Sequence, residues 1–178
     1  MYRSLIALFS IFIFLFSNNV QAQERYATVK LTPERTQVKA GEEIQLATEI
    51  TLAPDWHVYW INPGDSGIPV SAHWTLPENF EIKEINWPTP DKISYDILLN
   101  YGYHDNVILL QKLKIPDTIP EGKITLTAKI DMLVCNEICI PETSTISINL
   151  NDPSATQQDN SSYIFAASKK LQIGRAHV

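Results

Sequence analysis

Two cysteines separated by three residues are the feature of this sequence with the clearest capacity for chemistry. Cys135 and Cys139 lie in the segment DMLVCNEICIPE, residues 131–142, and they are the only 2 cysteines of the 178-residue chain. Such a pair can form a stabilising disulfide, bind a soft metal ion, or exchange electrons with another thiol pair. Each alternative predicts a different kind of protein.

The spacing of the pair restricts the local backbone. In an extended strand the two Cα atoms would lie about 13 Å apart, at roughly 3.3 Å per residue, whereas a disulfide requires about 7 Å or less. Pro141 disfavours a helical conformation at Ile140. If the disulfide forms, it therefore requires a tight turn over Asn136, Glu137 and Ile138, with one cysteine on each arm of a hairpin.

The size of the ring weighs against a purely structural disulfide. Closing so small a ring stabilises a fold by about 2 kcal/mol, against about 3 kcal/mol for a loop of roughly 15 residues. Short, exposed disulfides tend to be labile or catalytic. No Lys or Arg adjoins the pair and Glu137 lies between the cysteines, so nothing local promises a strongly lowered thiol pKa. The residues alone leave the structural and the exchangeable disulfide open.

A metal site is the weaker alternative. His57, His73 and His104 could join two thiolates in a tetrahedral site. Each histidine, however, belongs to a different predicted strand or turn, and the sequence has no second pair of closely spaced ligands. We expect no metal and no cofactor.

The motif GDSG, residues 64–67, imitates the nucleophile region of chymotrypsin-like proteases. That fold needs two barrels and a serine late in the chain, whereas Ser66 follows His57 closely in a short chain. We interpret NPGDSGIP as a turn-rich connection.

The N-terminal residues predict export. Arg3 precedes an apolar run over residues 5–16, which is shorter than a membrane span of about 20 residues, and VQA at residues 20–22 provides a cleavage site. We predict a removable signal peptide over residues 1–22, with a retained anchor as the alternative. Export exposes the cysteines to oxidising conditions, in which a disulfide is the default state. The net charge of −6, without any basic run, argues against a nucleic-acid partner.

Residues 23–150 have the pattern of an all-β domain. Short segments with period-two alternation, rich in Ile, Val, Thr and Tyr, follow one another and are separated by turn motifs such as LPEN, WPTPD, YHDN and IPEG. This pattern predicts an immunoglobulin-like antiparallel β-sandwich. The segments expected to be strands are RYATVKLTP, EIQLATEITLA, HVYWIN, SAHWTLP, FEIKEINWP, NVILLQKLKIP, KITLTAKIDMLVC and TSTISINL.

Beyond residue 150 the composition changes. Residues 151–162, NDPSATQQDNSS, are polar and predict a linker, and residues 163–172 predict the first turns of a helix that starts a truncated downstream region. IGRAHV, residues 173–178, can be back-translated into a string that matches the start of a sequencing adapter. We expect this hexapeptide to be an artefact, and a membrane-spanning region to follow in the natural protein.

Several segments in order along the chain resemble the periplasmic N-terminal domain of DsbD-type thiol:disulfide interchange proteins, in particular the ScsB-like branch. The most specific match is the cysteine pair followed by Pro141 and Glu142. The other matching segments are PDWHVYWINPGDSGIPVSAHWTLPENF, NWPTPDKI and NYGYHDNVILL.

The resemblance implies a redox role. In this family an immunoglobulin-like domain takes electrons from a thioredoxin-like domain of the same protein, which a membrane-embedded domain supplies. It then reduces periplasmic disulfide isomerase-like or cytochrome-maturation thioredoxin-like proteins. The family pattern implies that Cys139 pairs with partners and that Cys135 resolves the mixed disulfide. The full-length protein would then be a periplasmic protein-disulfide reductase anchored in the inner membrane.

The resemblance also implies residues that flank the site. Aromatic residues after a Pro-Asp turn flank it in the family, and the matching positions are His57 and Tyr59, for which packing in the sandwich is the alternative role. The family shields its disulfide with a Phe-bearing cap loop, whereas the corresponding residues 91–103 contain no Phe. Candidates for the capping role are Ile93, Tyr95, Leu98 and Tyr101.

The cysteine spacing is narrower than in the best-known members of the family, so the local geometry could differ. The leading hypothesis is a periplasmic electron-relay domain. The main alternative is a non-catalytic immunoglobulin-like binding module with a structural hairpin disulfide, and a metal-handling exported protein is the third.

Overall fold

A computed structural model describes residues 24–171 of the chain. Over these residues the protein forms two antiparallel β-sheets and one short helix, so the all-β sandwich predicted from the alternation is confirmed. No helix within residues 24–171 is long and apolar enough to cross a membrane. The predicted signal peptide and the adapter-like hexapeptide lie outside the described residues.

Strands follow one another along the chain until a helix ends the described segment. In order, the elements are β1 (Ala27–Pro33), β2 (Glu43–Leu52), β3 (His57–Gly64), β4 (Ser71–Thr75), β5 (Glu81–Ile82), β6 (Asp91–Tyr95), β7 (Leu98–His104), β8 (Asn106–Lys114), β9 (Ile124–Cys135), β10 (Cys139–Leu150) and helix α1 (Ser161–Ser168). The first sheet has the order β1-β2-β8-β5, and the second has the order β10-β9-β3-β7-β6, with β4 also paired to β9.

The core lies between the two sheets and follows the period-two pattern of the strands. In β9, every second residue from Ile124 to Val134 is buried, and β2 and β8 contribute alternate aliphatic side chains from the opposite sheet. Successive side chains of a strand point to opposite faces. The remaining residues of β3, β7 and β9 therefore project from the outer face of the second sheet, where the functional side chains are found.

The hairpin of β6 and β7 is an element that the sequence analysis did not predict. Residues 91–103 were expected to form a loop, but Asp91 to Tyr95 pair with residues 98–102 of β7. The turn holds Asp96 at a φ of 53°, a left-handed conformation that Asp adopts more readily than most residues. Because the turn lacks the Asn-Gly or Asp-Gly dipeptide that marks tight hairpins, the sequence carried no local indication of it.

The C-terminal segment is attached to the sandwich. Asn151 makes two hydrogen bonds with the backbone of Val38, of 2.8 and 3.0 Å, and the Asn160 side chain donates to the carbonyl of Pro33 at 2.9 Å. The composition predicts a linker over residues 151–162. Residues 151–160 lie along the chain that follows β1, and residues 161–162 belong to the helix. Helix α1 begins at Ser161 and packs on the outer face of β2 and β8.

Candidate functional site

The two cysteines form a disulfide at the end of the longest hairpin of the fold. Cys135 is the last residue of β9, Cys139 is the first of β10, and the two lie directly opposite each other in the register. Their Cα atoms are 4.1 Å apart. The backbone N–H of Asn136 donates to the carbonyl of Ile138 at 2.9 Å and closes the turn. This is the hairpin that the cysteine spacing requires.

The two halves of the disulfide differ in accessibility. Cys135 is 1% exposed, and it lies opposite His57 of β3 in the sheet register. Cys139 is exposed, and so is the neighbouring Ile138 at the tip of the turn. A thiol that approaches from solvent therefore reaches the sulfur of Cys139 before that of Cys135.

The disulfide borders a pocket of about 280 Å³ on the outer face of the second sheet. Its lining residues come from β3, from the β6–β7 hairpin and from the β9–β10 turn. The lining residues are Asp55, His57, Tyr59, Ser66, Ile93, Ser94, Tyr95, Leu98, Asn100, His104, Cys135, Asn136, Glu137 and Cys139.

The pocket brings together most of the residues singled out in the sequence. His57, Tyr59, Ile93 and Tyr95 all line it together with the cysteine pair, as does Leu98. Tyr101 does not. Its ring instead packs edge-on against Trp60, with ring centroids 6.3 Å apart, because residues 100 and 104 of β7 face the pocket and Tyr101 lies on the opposite face of the strand.

His57 stands at the junction of three strands. It lies opposite His104 of β7 and opposite Cys135 of β9 in the two registers, and only 9% of its surface is exposed. The rings of His57 and His104 are 5.5 Å apart between centroids. Burial, followed by the charge of His104, lowers the pKa of the His57 imidazole below its ordinary value.

Tyr59 connects His57 to the disulfide. Its hydroxyl lies 3.3 Å from Nε2 of His57 and 4.0 Å from Sγ of Cys139. The ring is buried, and this burial raises the pKa of the phenol. The hydroxyl therefore stays protonated at neutral pH and is available to both neighbours.

The segment GDSG holds Tyr59 in position. Gly67 has a φ of +99°, and a Cβ atom there would overlap the Tyr59 ring. Ser66 is tied to β7 because its backbone N–H donates to Oδ1 of Asn100 at 2.9 Å, and Asp65 accepts from the N–H of Leu99 at 2.8 Å. The motif acts here as a turn that packs over the ring, in agreement with its interpretation as a connection.

The β6–β7 hairpin borders the pocket beside the disulfide. Ile93 is buried, whereas Tyr95 and the tip residue Ile97 are exposed, Ile97 by 88%. The segment predicted to act as a cap thus lies beside the cysteines and contributes one wall of their pocket. Whether it shields the disulfide stays a prediction.

Several residues that line the pocket were not singled out as site residues in the sequence, among them His104, Asn100 and Ser66. His104 was considered only as a metal ligand, Asn100 was not considered, and Ser66 was considered only as a false nucleophile. His104 belongs to the turn motif YHDN, and nothing near it in sequence marks its position opposite His57. No group of three or more His, Cys, Asp and Glu side chains suited to a metal ion occurs within residues 24–171.

The fold and the site define a class: an immunoglobulin-like β-sandwich with a half-exposed cysteine pair at the end of a hairpin. The sequence model of the family "Thiol:disulfide interchange protein DsbD, N-terminal" matches residues 27–151. The chain therefore belongs to the DsbD N-terminal domain family, and the resemblance drawn from its motifs is confirmed. No curated protein matches the sequence.

One solved structure agrees with this fold, and a second one is less similar. The N-terminal periplasmic domain of ScsB from Proteus mirabilis superposes with a TM-score of 0.69 at 21% identity, covering 88% of this chain. The present chain spans 58% of that ScsB chain. The reduced N-terminal domain of DsbD from Neisseria meningitidis has a TM-score of 0.42 at 13% identity, covering 76% of this chain and 94% of the other.

Proposed function

We propose that this chain is a periplasmic electron-relay domain of a protein-disulfide reductase. Its cysteine pair would accept two electrons from a thioredoxin-like domain of the same full-length protein, which a membrane-embedded domain supplies. It would pass them to periplasmic disulfide isomerase-like or cytochrome-maturation thioredoxin-like proteins. The observation that carries the proposal is the exposed Cys139 joined to the buried Cys135 beside an open pocket.

The difference in exposure supports separate roles for the two sulfurs. Thiol–disulfide exchange requires a thiolate to attack one sulfur of a disulfide while the other sulfur leaves. Cys139 is accessible to an incoming thiol, and Cys135 is buried beside β3. A donor thiolate would bond to Cys139 and release Cys135 as a thiolate. The second donor thiol would then displace Cys139, leaving one disulfide on the donor and two thiols on this domain.

Trapping experiments test this assignment. Because Cys135→Ala removes the resolving thiol, we expect this variant to accumulate a mixed disulfide with a thioredoxin-like partner through Cys139. The matched variant Cys139→Ala should accumulate little or none. The measurement is non-reducing electrophoresis after mixing with the oxidised partner. A wild-type disulfide that resists a thioredoxin-like reductant under native conditions would refute the proposal.

The alternative of a structural disulfide predicts a different result. The ring-closure entropy of this short loop amounts to about 2 kcal/mol. If the pair is an exchangeable disulfide, its reduction should therefore lower the free energy of unfolding by no more than about that amount. Urea denaturation of the oxidised and the reduced protein measures the difference. A much larger loss, together with failure to trap a partner, would identify the pair as a structural element of a binding module.

A further inference from the structure

Two polar side chains extend in a line from the accessible sulfur. Sγ of Cys139 is 4.0 Å from the hydroxyl of Tyr59, and that hydroxyl is 3.3 Å from Nε2 of His57. His57 and Tyr59 are two residues apart on β3 and point to the same face, so their relative placement is set by the strand itself. The chain of contacts leads from the sulfur to an imidazole that is otherwise buried.

We propose that Tyr59 and His57 form a proton relay for the thiol of Cys139. The proposal rests on the proposed function and deepens it by naming the base for the exchange reaction. Tyr59 is the catalytic residue, since its hydroxyl contacts the reacting sulfur. His57 acts through Tyr59 and is a positioning residue that receives the proton.

The relay operates in the reduced domain. The Cys139 thiol gives its proton to the Tyr59 oxygen while the Tyr59 proton passes to Nε2 of His57. The thiolate attacks one sulfur of the partner's disulfide, so a mixed disulfide forms and the partner's other sulfur leaves as a thiolate. Cys135, after losing its own proton, then displaces the partner. The domain regains its disulfide, and the partner takes up two electrons and the two released protons.

The surroundings of His57 fit a proton acceptor. At neutral pH a buried imidazole facing a second histidine is uncharged, because both burial and His104 lower its pKa. An uncharged ring can accept a proton at Nε2 if Nδ1 carries the other hydrogen. Besides His57, the titratable groups around the pocket are His104 on β7, Tyr95 on β6, Tyr59 on β3, Asp55 before β3 and Glu137 in the β9–β10 turn.

The relay also supplies a base that the neighbours of the cysteines in the chain do not provide. The cysteines have no adjacent Lys or Arg, and Glu137 lies between them, so their sequence neighbours do nothing to favour a thiolate. Strand β3 would provide this base through His57 and Tyr59, of which Tyr59 lies 80 positions before Cys139 in the sequence.

A pH profile of thiol reactivity tests the relay without any partner protein. In the Cys135→Ala background, the rate of Cys139 alkylation by iodoacetamide is measured from acidic to alkaline pH. We expect the alkylation rate of the parent to rise as the pH increases through the pKa of His57, because only the uncharged imidazole can accept the proton. Tyr59→Phe and His57→Gln should each lower the rate near neutral pH by about tenfold, since proton transfer by a positioned group contributes at least that much. In both variants the alkylation rate should rise only at about pH 8.5, near the ordinary pKa of a thiol.

Two further variants separate the relay from a general structural effect. His104→Gln removes the charge that opposes protonation of His57 and so raises the pKa of His57. The rise in alkylation rate that follows this pKa should therefore move to higher pH. His73→Gln is the matched control, because this exposed histidine lies on β4 beside Asp131, and its profile should coincide with that of the parent. Tyr59→Phe keeps the buried ring and removes only the hydroxyl, so it tests the relay even if a His57 variant folds poorly.

The outcomes distinguish the relay from the proposed function. If Tyr59→Phe has the same pH profile as the parent while Cys135→Ala traps a partner, the relay is refuted and the electron-relay domain stands. If the profile changes as expected but no partner is trapped, proton transfer from Cys139 to Tyr59 and His57 is supported, whereas the electron-relay domain, and with it the role of this transfer in exchange, is refuted.

Discussion

His57 shows how a single residue can acquire a property that its sequence neighbours do not indicate. In the sequence it is one histidine in an alternating segment. In the fold it is 9% exposed and faces His104 across the β3–β7 register. Both effects disfavour the charged imidazole, and the pKa of His57 is lowered by burial and by the charge of His104.

This lowered pKa predicts a pH dependence of stability. The unfolded chain binds a proton at His57 near pH 6.5, the ordinary histidine value, whereas the folded chain binds it only at lower pH. Between the two pKa values the unfolded state holds more protons, so the free energy of unfolding rises with pH through this window. The contribution is present above pH 6.5 and is lost as the pH falls toward the folded pKa.

Urea denaturation at a series of pH values measures this effect. We expect wild type to lose more stability than His57→Gln as the pH is lowered below 6.5. His73→Gln should follow wild type, because His73 is exposed on β4. Parallel pH dependences for wild type and His57→Gln would contradict the assignment of a lowered pKa to His57.

At the scale of elements, the GDSG turn is the part of the fold that places Tyr59. The sequence analysis interpreted this motif correctly as a connection, but its packing against the Tyr59 ring could not be anticipated. Gly67 permits the approach for two reasons: its positive φ and the space that its missing side chain leaves to the ring.

Replacing Gly67 tests this role. Gly67→Ala should lower the free energy of unfolding by about 3 kcal/mol, because left-handed strain of about 1–2 kcal/mol adds to overlap with a buried ring. Gly122→Ala is the matched control: Gly122 also has a positive φ, +79°, but has open space around it. Gly122→Ala should therefore lower the free energy of unfolding only by the left-handed strain of about 1–2 kcal/mol. Denaturant unfolding measures both, and equal losses would show that the ring contact has no energetic weight.

The two hairpins show what local sequence can and cannot predict about elements. The β9–β10 hairpin was predictable, because a disulfide between Cys135 and Cys139 is incompatible with a straight strand. The β6–β7 hairpin was not, since its turn at Asp96 and Ile97 lacks the usual dipeptide and its strands are short. Strand β7 of this hairpin also pairs with β3, which is remote in sequence.

At the scale of the whole molecule, helix α1 extends the structure beyond the sandwich. Ile164 and Ala167 are buried against Ala47 of β2 and Leu110 of β8, in a cluster separate from the main core. The alternation of β2 explains this cluster, since the side chains of Ala47 and Ile44 lie on opposite faces of the strand. The sequence analysis placed this helix in a downstream region, and the domain boundary at residue 150 stays a prediction.

Truncating one helical side chain tests whether α1 is part of the folding unit. Ile164→Ala should lower the free energy of unfolding by about 2–4 kcal/mol, the usual cost of truncating a buried isoleucine. Phe165→Ala is the matched control, because Phe165 is 63% exposed, and it should change stability by less than about 0.5 kcal/mol. Indistinguishable unfolding curves for the two variants would show that the sandwich folds without the helix.

The sequence by itself determined the features that depend on local constraints. Period-two alternation identified the β class because it reflects which side of each strand meets water. The cysteine spacing identified the hairpin because backbone geometry limits how closely two nearby residues can approach. The family resemblance implied that His57 and Tyr59 flank the disulfide, but only the tertiary structure decided that they form one line of contacts with Cys139 and that His104 joins them. Their convergence depends on the register of β3 against β7 and β9, and a shift of one residue would turn these side chains to the other face of the sheet.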